Sequence, residues 1–349
     1  MTERLFDATL RRRNFAVKPP VWFMRQAGRY HAHYQNIRQS HSFMEVCKSP
    51  TIACEATLGP VEDFGFDAGI LFSDILFPLE AMGIGLEFDP GPKLAWYLET
   101  PADIARLRSG PDTARRMLGF QPQALELIRA RLGAEKSLLG FVGAPLTLFN
   151  FAVKGTHKGN SEVVESGLAD GRFGLFCGQL LDLLAENMVM QAEAGADAVA
   201  VFDTCAGDVS LELYAALVVP QLKVLLEKFK LRCPDVPLIY YSKLTDPAHW
   251  EHLRDLPIDC LGVDWRHDIC DVLTQFGDRF AIQGNVDPQW LCLSTEVLQA
   301  KLWGLFSRVA ALPRAKRQGW VCGLGHGILP TTPEVNVRAF LQVKDEVFR

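Results

Sequence analysis

Eight short apolar runs alternate with stretches of helical periodicity along the 349 residues, and that order predicts an α/β fold, a single (β/α)8 TIM-type barrel with an insertion after the second strand. Two further observations narrow the choice. No low-complexity linker or shift of composition marks a second domain, so residues 1–349 are expected to form one. No G-x-G-x-x-G follows any apolar run, which removes the main signature of a doubly wound dinucleotide-binding sheet.

The runs follow in order. Residues 21–23, V-W-F, read as a strand covered on both faces, because consecutive bulky apolar residues suit that position. Residues 43–64 have helical spacing with a break near Pro50, and they lead to A-G-I-L-F-S-D at 68–74, the second strand. The insertion occupies 77–135, with a Gly- and Pro-rich part at 83–93 and a charged helical part at 101–132. S-L-L-G-F-V-G-A-P at 137–145, A-V-A-V-F-D-T at 198–204 and P-L-I-Y-Y-S-K at 237–243 are the third to fifth strands. C-L-G-V-D-W at 260–265, F-A-I-Q-G-N-V-D at 280–287 and G-W-V-C-G-L-G-H-G at 319–327 complete the eight. Helices are expected at 161–194, 211–229, 246–256 with Asp246 as N-cap, 269–276, 296–311 and 333–348.

Composition excludes several classes of function. A net charge of -5 offers no electrostatic footprint for nucleic acid, and the Arg11-Arg12-Arg13 run is too short to supply one. Any anionic ligand must be held by local positive charge. Nine cysteines, an odd count without a C-x-x-C pair, fit reduced thiols and a cytoplasmic location. No apolar stretch is read as long enough to span a membrane, and Glu3 and Asp7 sit where a leader peptide avoids acids, so no membrane partner is expected.

Barrels of this type carry their chemistry at the C-terminal ends of the strands. Those ends are Arg25 with Arg29, Ser73 with Asp74, Ala144 with Pro145, Asp203 with Thr204, Lys243, Asp264 with Arg266, Asn285 with Asp287, and His326. Any one of them is explained by a helix cap or a loop hydrogen bond. Together they place cationic, acidic and imidazole groups around one mouth. Arg25 and Arg29 flank an Ala27-Gly28 turn that lets both guanidinium forks face one cavity and grip anions; the alternative is a pair of loop arginines in surface ion pairs. Asp74, ending an apolar run, either pairs with a cation, faces a cavity or caps a helix. His326 lies between glycines that permit close approach by a ligand. The remaining histidines, 31, 33, 41, 157, 249, 252 and 267, fall in loops or helical segments, and no metal site is expected. Cys205 and Cys322 read as buried, inert thiols.

P-V-W-F-M-R-Q-A-G-R-Y near the start, I-L-F-S-D-I-L at 70–76, G-F-V-G-A-P-L-T at 140–147, Q-G-N-V-D-P at 283–288 and G-L-G-H-G-I at 323–328 together resemble the uroporphyrinogen decarboxylase family across almost the whole chain. The resemblance implies a TIM-type barrel that forms a homodimer and works without metal or organic cofactor. Its partner would be a tetrapyrrole with many carboxylates, losing CO2 from the acetate side chains of uroporphyrinogen III to give coproporphyrinogen III. The resemblance further implies that Asp74 accepts hydrogen bonds from pyrrole N–H groups and stabilises a ring cation. Arg25 and Arg29 would bind carboxylates, one of them delivering a proton, and Gln26, Ala27, Gly28, Arg38, Phe72, Phe151, Thr204 and His326 would complete the substrate contacts. Four positions depart from the family pattern: Phe151 replaces the usual tyrosine, Thr204 the usual serine, Cys205 a His or Trp, and Gly323 an asparagine. Two alternatives follow. One is a porphyrinogen-binding relative without turnover, motivated by Phe151. The other is a corrinoid-linked methyltransferase of the same superfamily, whose zinc-holding H-x-C pair occurs nowhere in this chain.

Overall fold

Residues 3–88, 91–156 and 161–349 are described by the computed structural model; His157 lies outside them. Seven strands, β1 (Ala68–Ile70), β4 (Ser137–Gly143), β5 (Ala198–Asp203), β6 (Leu238–Ser242), β7 (Cys260–Gly262), β8 (Ala281–Val286) and β9 (Trp320–Leu324), form one sheet in that spatial order. Every neighbouring pair is parallel. Two more strands, β2 (Leu86–Phe88) and β3 (Pro92–Leu94), form a separate antiparallel hairpin between β1 and β4. The protein is an α/β fold built on a curled parallel sheet. All residues of β4, β5, β6, β8 and β9 are buried, as near-continuous apolar strands require when helices cover one side and the opposing strands fill the other.

The strand expected at 21–23 is reduced to a single parallel bridge between Val21 and Cys322. Its two sides remain engaged: Cys322 N donates to Pro20 O at 2.9 Å, and Asp67 N donates to Val21 O at 2.9 Å. The Asp67 carboxylate in turn accepts from Val21 N at 2.7 Å. Pairing stops there because the chain turns at once, with Gln26 N donating to Phe23 O at 3.0 Å.

The helices follow the expected order with altered limits. The stretch 43–64 is two helices, Phe43–Lys48 and Pro50–Phe64, broken where Pro50 starts the second. The stretch 161–194 divides into Glu162–Ala169 and Arg172–Glu193 at Gly171, whose φ of 89° a side chain resists. The helix Arg172–Glu193 also corrects the membrane reading: its 22 residues are long and apolar enough to cross a bilayer, and 67% of its most apolar window is buried. It packs against β4 and the helices Pro111–Leu118 and Val219–Arg232, so its apolarity serves the core. Asp246 caps the helix Pro247–Glu251, accepting from Ala248 N at 3.0 Å, and that helix is shorter than the expected 246–256.

Candidate active site

A parallel sheet puts every strand's C-terminal end on one side, so residues that follow β1, β5, β7 and β9 share a mouth. Arg25 enters it from the turn after Val21. Gln26 anchors that turn: its Oε1 accepts from Phe23 N at 3.2 Å and its Nε2 donates to Ala68 O at 2.9 Å on β1. Tyr30 OH donates to Gln26 O at 2.9 Å. The buried Gln26 side chain is therefore spent on the backbone. Arg25 adopts a left-handed φ of 64°, which costs a non-glycine residue about 1–2 kcal/mol, and the surrounding bonds hold it there. Two glycines make room. A Cβ on Gly28 would lie 2.7 Å from Arg25 O, and one on Gly327 would lie 2.6 Å from Arg25 Cδ. The Arg25 side chain thus lies over the residue next to His326.

The Arg25 and Arg29 side chains are exposed, and among the described residues neither makes an ion pair. Arg38 donates to Tyr34 OH at 3.2 Å and to His41 O at 3.1 Å, with its guanidinium 5.8 Å from the Phe43 ring centre. Phe72 joins this aromatic group, 5.2 Å from Tyr34 and 5.8 Å from Phe43. Its backbone N–H is held by Thr57 Oγ1 at 2.9 Å.

Asp74 follows β1. Its Oδ1 accepts from Leu76 N at 2.9 Å, a local turn that leads into the helix Phe77–Ala81. Burial pushes its carboxyl up to about 6, opposed by the Leu76 N–H and by the positive charge of Arg25. The carboxylate is partly open to solvent at the mouth and poorly hydrated within it. Asp203, at the end of β5, is also pushed up to about 6 by burial. It is fully enclosed and accepts from Thr147 Oγ1 and Tyr240 OH, each at 2.8 Å.

His326 follows β9. Its Nδ1 is 3.1 Å from Tyr241 OH, which also donates to Gly325 O at 2.9 Å. Trp265 lies on another side, 6.2 Å between ring centres. A Cβ on Gly325 would be 2.4 Å from Trp265 N, so the loop after β9 rests directly on the end of β7. Asp264 pairs with Arg266 at 3.0 Å and accepts from Leu244 N at 2.7 Å. Asn285 Nδ2 donates to Asp264 O at 2.8 Å and His267 O at 2.7 Å.

Thr204 follows β5 at the same end, where Cys205 N donates to Thr147 Oγ1 at 3.3 Å. Burial pushes the Cys205 thiol up to about 12 and the Cys322 thiol well above its ordinary value, which keeps both from acting as thiolates. Phe151 is buried in the helix Pro145–Lys154 that follows β4. Ser73 and Asp287 are occupied by structural bonds: Ser73 Oγ accepts from the distant Gln121 Nε2 at 3.0 Å, and Asp287 accepts from the nearby Gln289 N at 2.9 Å. Among the described residues no three His, Cys, Asp or Glu side chains converge as metal ligands would.

Sequence reasoning did not find Tyr241 or Trp265, and it read the glycines beside His326 as room for a ligand, whereas Gly327 makes room for the Arg25 side chain. A signal for the first was present in the adjacent Tyr240-Tyr241 pair, since neighbours in a strand face opposite ways and one of two phenols must point into the sheet's other layer.

The sequence profile described as Uroporphyrinogen decarboxylase (URO-D) matches residues 1–347. The chain belongs to the uroporphyrinogen decarboxylase family. This family member is 34% identical over 345 residues to the uroporphyrinogen decarboxylase of Chloroherpeton thalassium, covering 96% of this chain and 95% of that one. It is 36% identical over 338 residues to the enzyme of the same name from Chloroflexus aurantiacus, covering 95% and 92%. Among solved structures, a methyltransferase from Methanosarcina mazei superposes with a TM-score of 0.78 at 18% identity over 99% of both chains. A putative vitamin-B12 independent methionine synthase from Listeria monocytogenes gives 0.56 at 10% identity over 95% and 96%. At such identities these two describe the shared fold alone.

Proposed function

We propose that this chain is a carboxy-lyase that removes CO2 from the acetate side chains of uroporphyrinogen III, giving coproporphyrinogen III in tetrapyrrole biosynthesis. One observation supports the site reading: the poorly hydrated Asp74 carboxylate lies within electrostatic reach of Arg25, which among the described residues makes no ion pair.

The chemistry requires an electron sink for the pair released from the breaking C–C bond. Protonating a pyrrole ring carbon makes the ring a cation. The acetate carboxylate then leaves as CO2, and its bonding electrons neutralise the ring and form an exocyclic methylene. That carbon takes a proton to become a methyl group, and the ring carbon gives up the proton it first took, so the pyrrole is restored with one proton consumed per CO2 lost. Asp74 accepts hydrogen bonds from pyrrole N–H groups and opposes the developing positive charge in a site where water screens little. Arg25, Arg29 and Arg38 hold substrate carboxylates, and Arg25 or Arg29 delivers the first proton. Each charge-assisted bond contributes about 1.5–3 kcal/mol, enough in combination to bind a polyanion despite a chain charge of -5. Gln26 acts through the turn it pins. Ala27, Gly28, Phe72, Phe151, Thr204 and His326 line the ring.

The same reading includes a closed (β/α)8 barrel with the Pro20-Val21 segment as its eighth stave, supported by its bonds to β9 and to Asp67 just before β1. It also includes one continuous domain with residues 77–135 as an insertion, a homodimer, a cytoplasmic location and no membrane or nucleic-acid partner. Anaerobic incubation with uroporphyrinogen III, followed by chromatographic separation, tests the activity. Coproporphyrinogen and intermediates with fewer carboxylates are expected; tight binding with no such products would leave the non-catalytic relative that Phe151 motivates.

A further inference from the structure

Tyr240 and Tyr241 are neighbours in β6, and strand alternation sends them to opposite faces. Tyr240 reaches Asp203, while Tyr241 reaches the loop after β9. Its hydroxyl oxygen lies 2.9 Å from Gly325 O and 3.1 Å from His326 Nδ1. The two rings are nearly parallel, 11° apart with centres at 6.1 Å.

A phenol has one proton to give. A backbone carbonyl can only accept, so the Tyr241 proton goes to Gly325, and the phenol oxygen meets His326 as an acceptor. Burial, followed by the charge of Asp264, pushes Tyr241 ionisation far above its ordinary value, with Arg25 and Arg266 opposing more weakly. The phenol therefore stays protonated, and the hydrogen between the two side chains belongs to the imidazole.

We infer that Tyr241 is a positioning residue that holds His326 with its proton on Nδ1, leaving Nε2 of the neutral ring as an acceptor. Granting the decarboxylase reading, this sets which substrate group the neutral His326 recognises. It cannot donate to a carboxylate. It takes a hydrogen bond from a pyrrole N–H or from a protonated acid side chain, and it engages a carboxylate only as imidazolium. Trp265 and the Gly325 backbone limit the ring's freedom to turn away.

The full chain labelled with 15N-histidine tests this by long-range nitrogen–proton correlation above the histidine titration range, with the His326 signal assigned by its loss in His326→Gln. A pyrrole-like Nδ1 and a pyridine-like Nε2 are expected in the unsubstituted protein. A proton on Nε2, with or without one on Nδ1, overturns the inference. In Tyr241→Phe the acceptor is gone, so the neutral ring shifts toward the Nε2–H form and KM for uroporphyrinogen rises about 3–10-fold with kcat little changed; an unchanged tautomer in that variant also overturns it. The spectrum needs no turnover. Failure of the decarboxylase reading therefore appears in the product assay alone, and failure of the tautomer reading in the spectrum alone.

Discussion

Replacing Asp74 by Asn removes one charge and keeps the shape. The amide oxygen can still accept from Leu76 N, so the turn into the helix Phe77–Ala81 survives. What is lost is the countercharge. Two hydrogen bonds to pyrrole N–H groups from a charged acceptor are worth about 1.5–3 kcal/mol each, and their loss slows turnover by roughly 10²–10⁴-fold. Stability should move the other way. A carboxyl raised from 3.8 to about 6 carries a burial penalty of about 3 kcal/mol at neutral pH if fully enclosed, and partial exposure reduces this to about 1–2 kcal/mol. Between pH 4 and 6 the folded chain holds a proton that the unfolded chain has released, so this group's contribution makes stability fall as pH rises through that interval. The Asn variant lacks that slope and should melt about 1–3 °C higher at pH 7. Unsubstituted enzyme should lose activity as pH drops through about 6, where the carboxylate is protonated. Anaerobic product assays and thermal melts on the two proteins measure both effects. A variant that keeps more than about a tenth of the turnover refutes the countercharge role, and a variant that melts several degrees lower refutes the burial penalty.

Gly327→Ala places a Cβ 2.6 Å from Arg25 Cδ; a flexible side chain can yield, so KM should rise about 5–10-fold with stability nearly unchanged, as steady-state kinetics and urea unfolding together report. Gly325→Ala meets backbone instead, 2.4 Å from Trp265 N and 2.9 Å from Asp264 C, and should lose about 2–4 kcal/mol in urea unfolding. Phe151→Tyr adds the hydroxyl usual in the family, and kcat/KM should rise about 2–10-fold if it reaches a substrate carboxylate; an unchanged value in steady-state assays would set the departure at Phe151 aside. Tyr240→Phe strips Asp203 of one donor and leaves Tyr214 OH, 3.0 Å away, without its acceptor; a loss of about 1–3 kcal/mol is expected in chemical unfolding.

The strand order was legible because strands buried on both faces leave apolar runs that stop at polar residues, as in A-V-A-V-F-D-T. The cap at Asp246 and the break at Pro50 were legible because they act within a few residues. Residues 21–23 were misread because apolar character records burial, which Trp22 and Phe23 have, while strand pairing also needs a neighbour in register, which only Val21 finds. Arg172–Glu193 was misread in the opposite sense, since its apolar residues are interleaved with polar ones in a way that a search for an unbroken run passes over.

Composition, periodicity and motif order therefore determined by themselves the α/β class, the succession of parallel strands, the family, and the place of Asp74 just past the first strand of the sheet. The folded chain decided how those groups are held. Gln26 turns inward to pin the Arg25 turn, Gly327 opens space for the Arg25 side chain, and Tyr241 sets its hydroxyl against His326 Nδ1. Each of these contacts joins residues at least 42 positions apart, and no local pattern encodes a partner that far along the chain. Chemical identity was written in the motifs; orientation arose only where distant segments met.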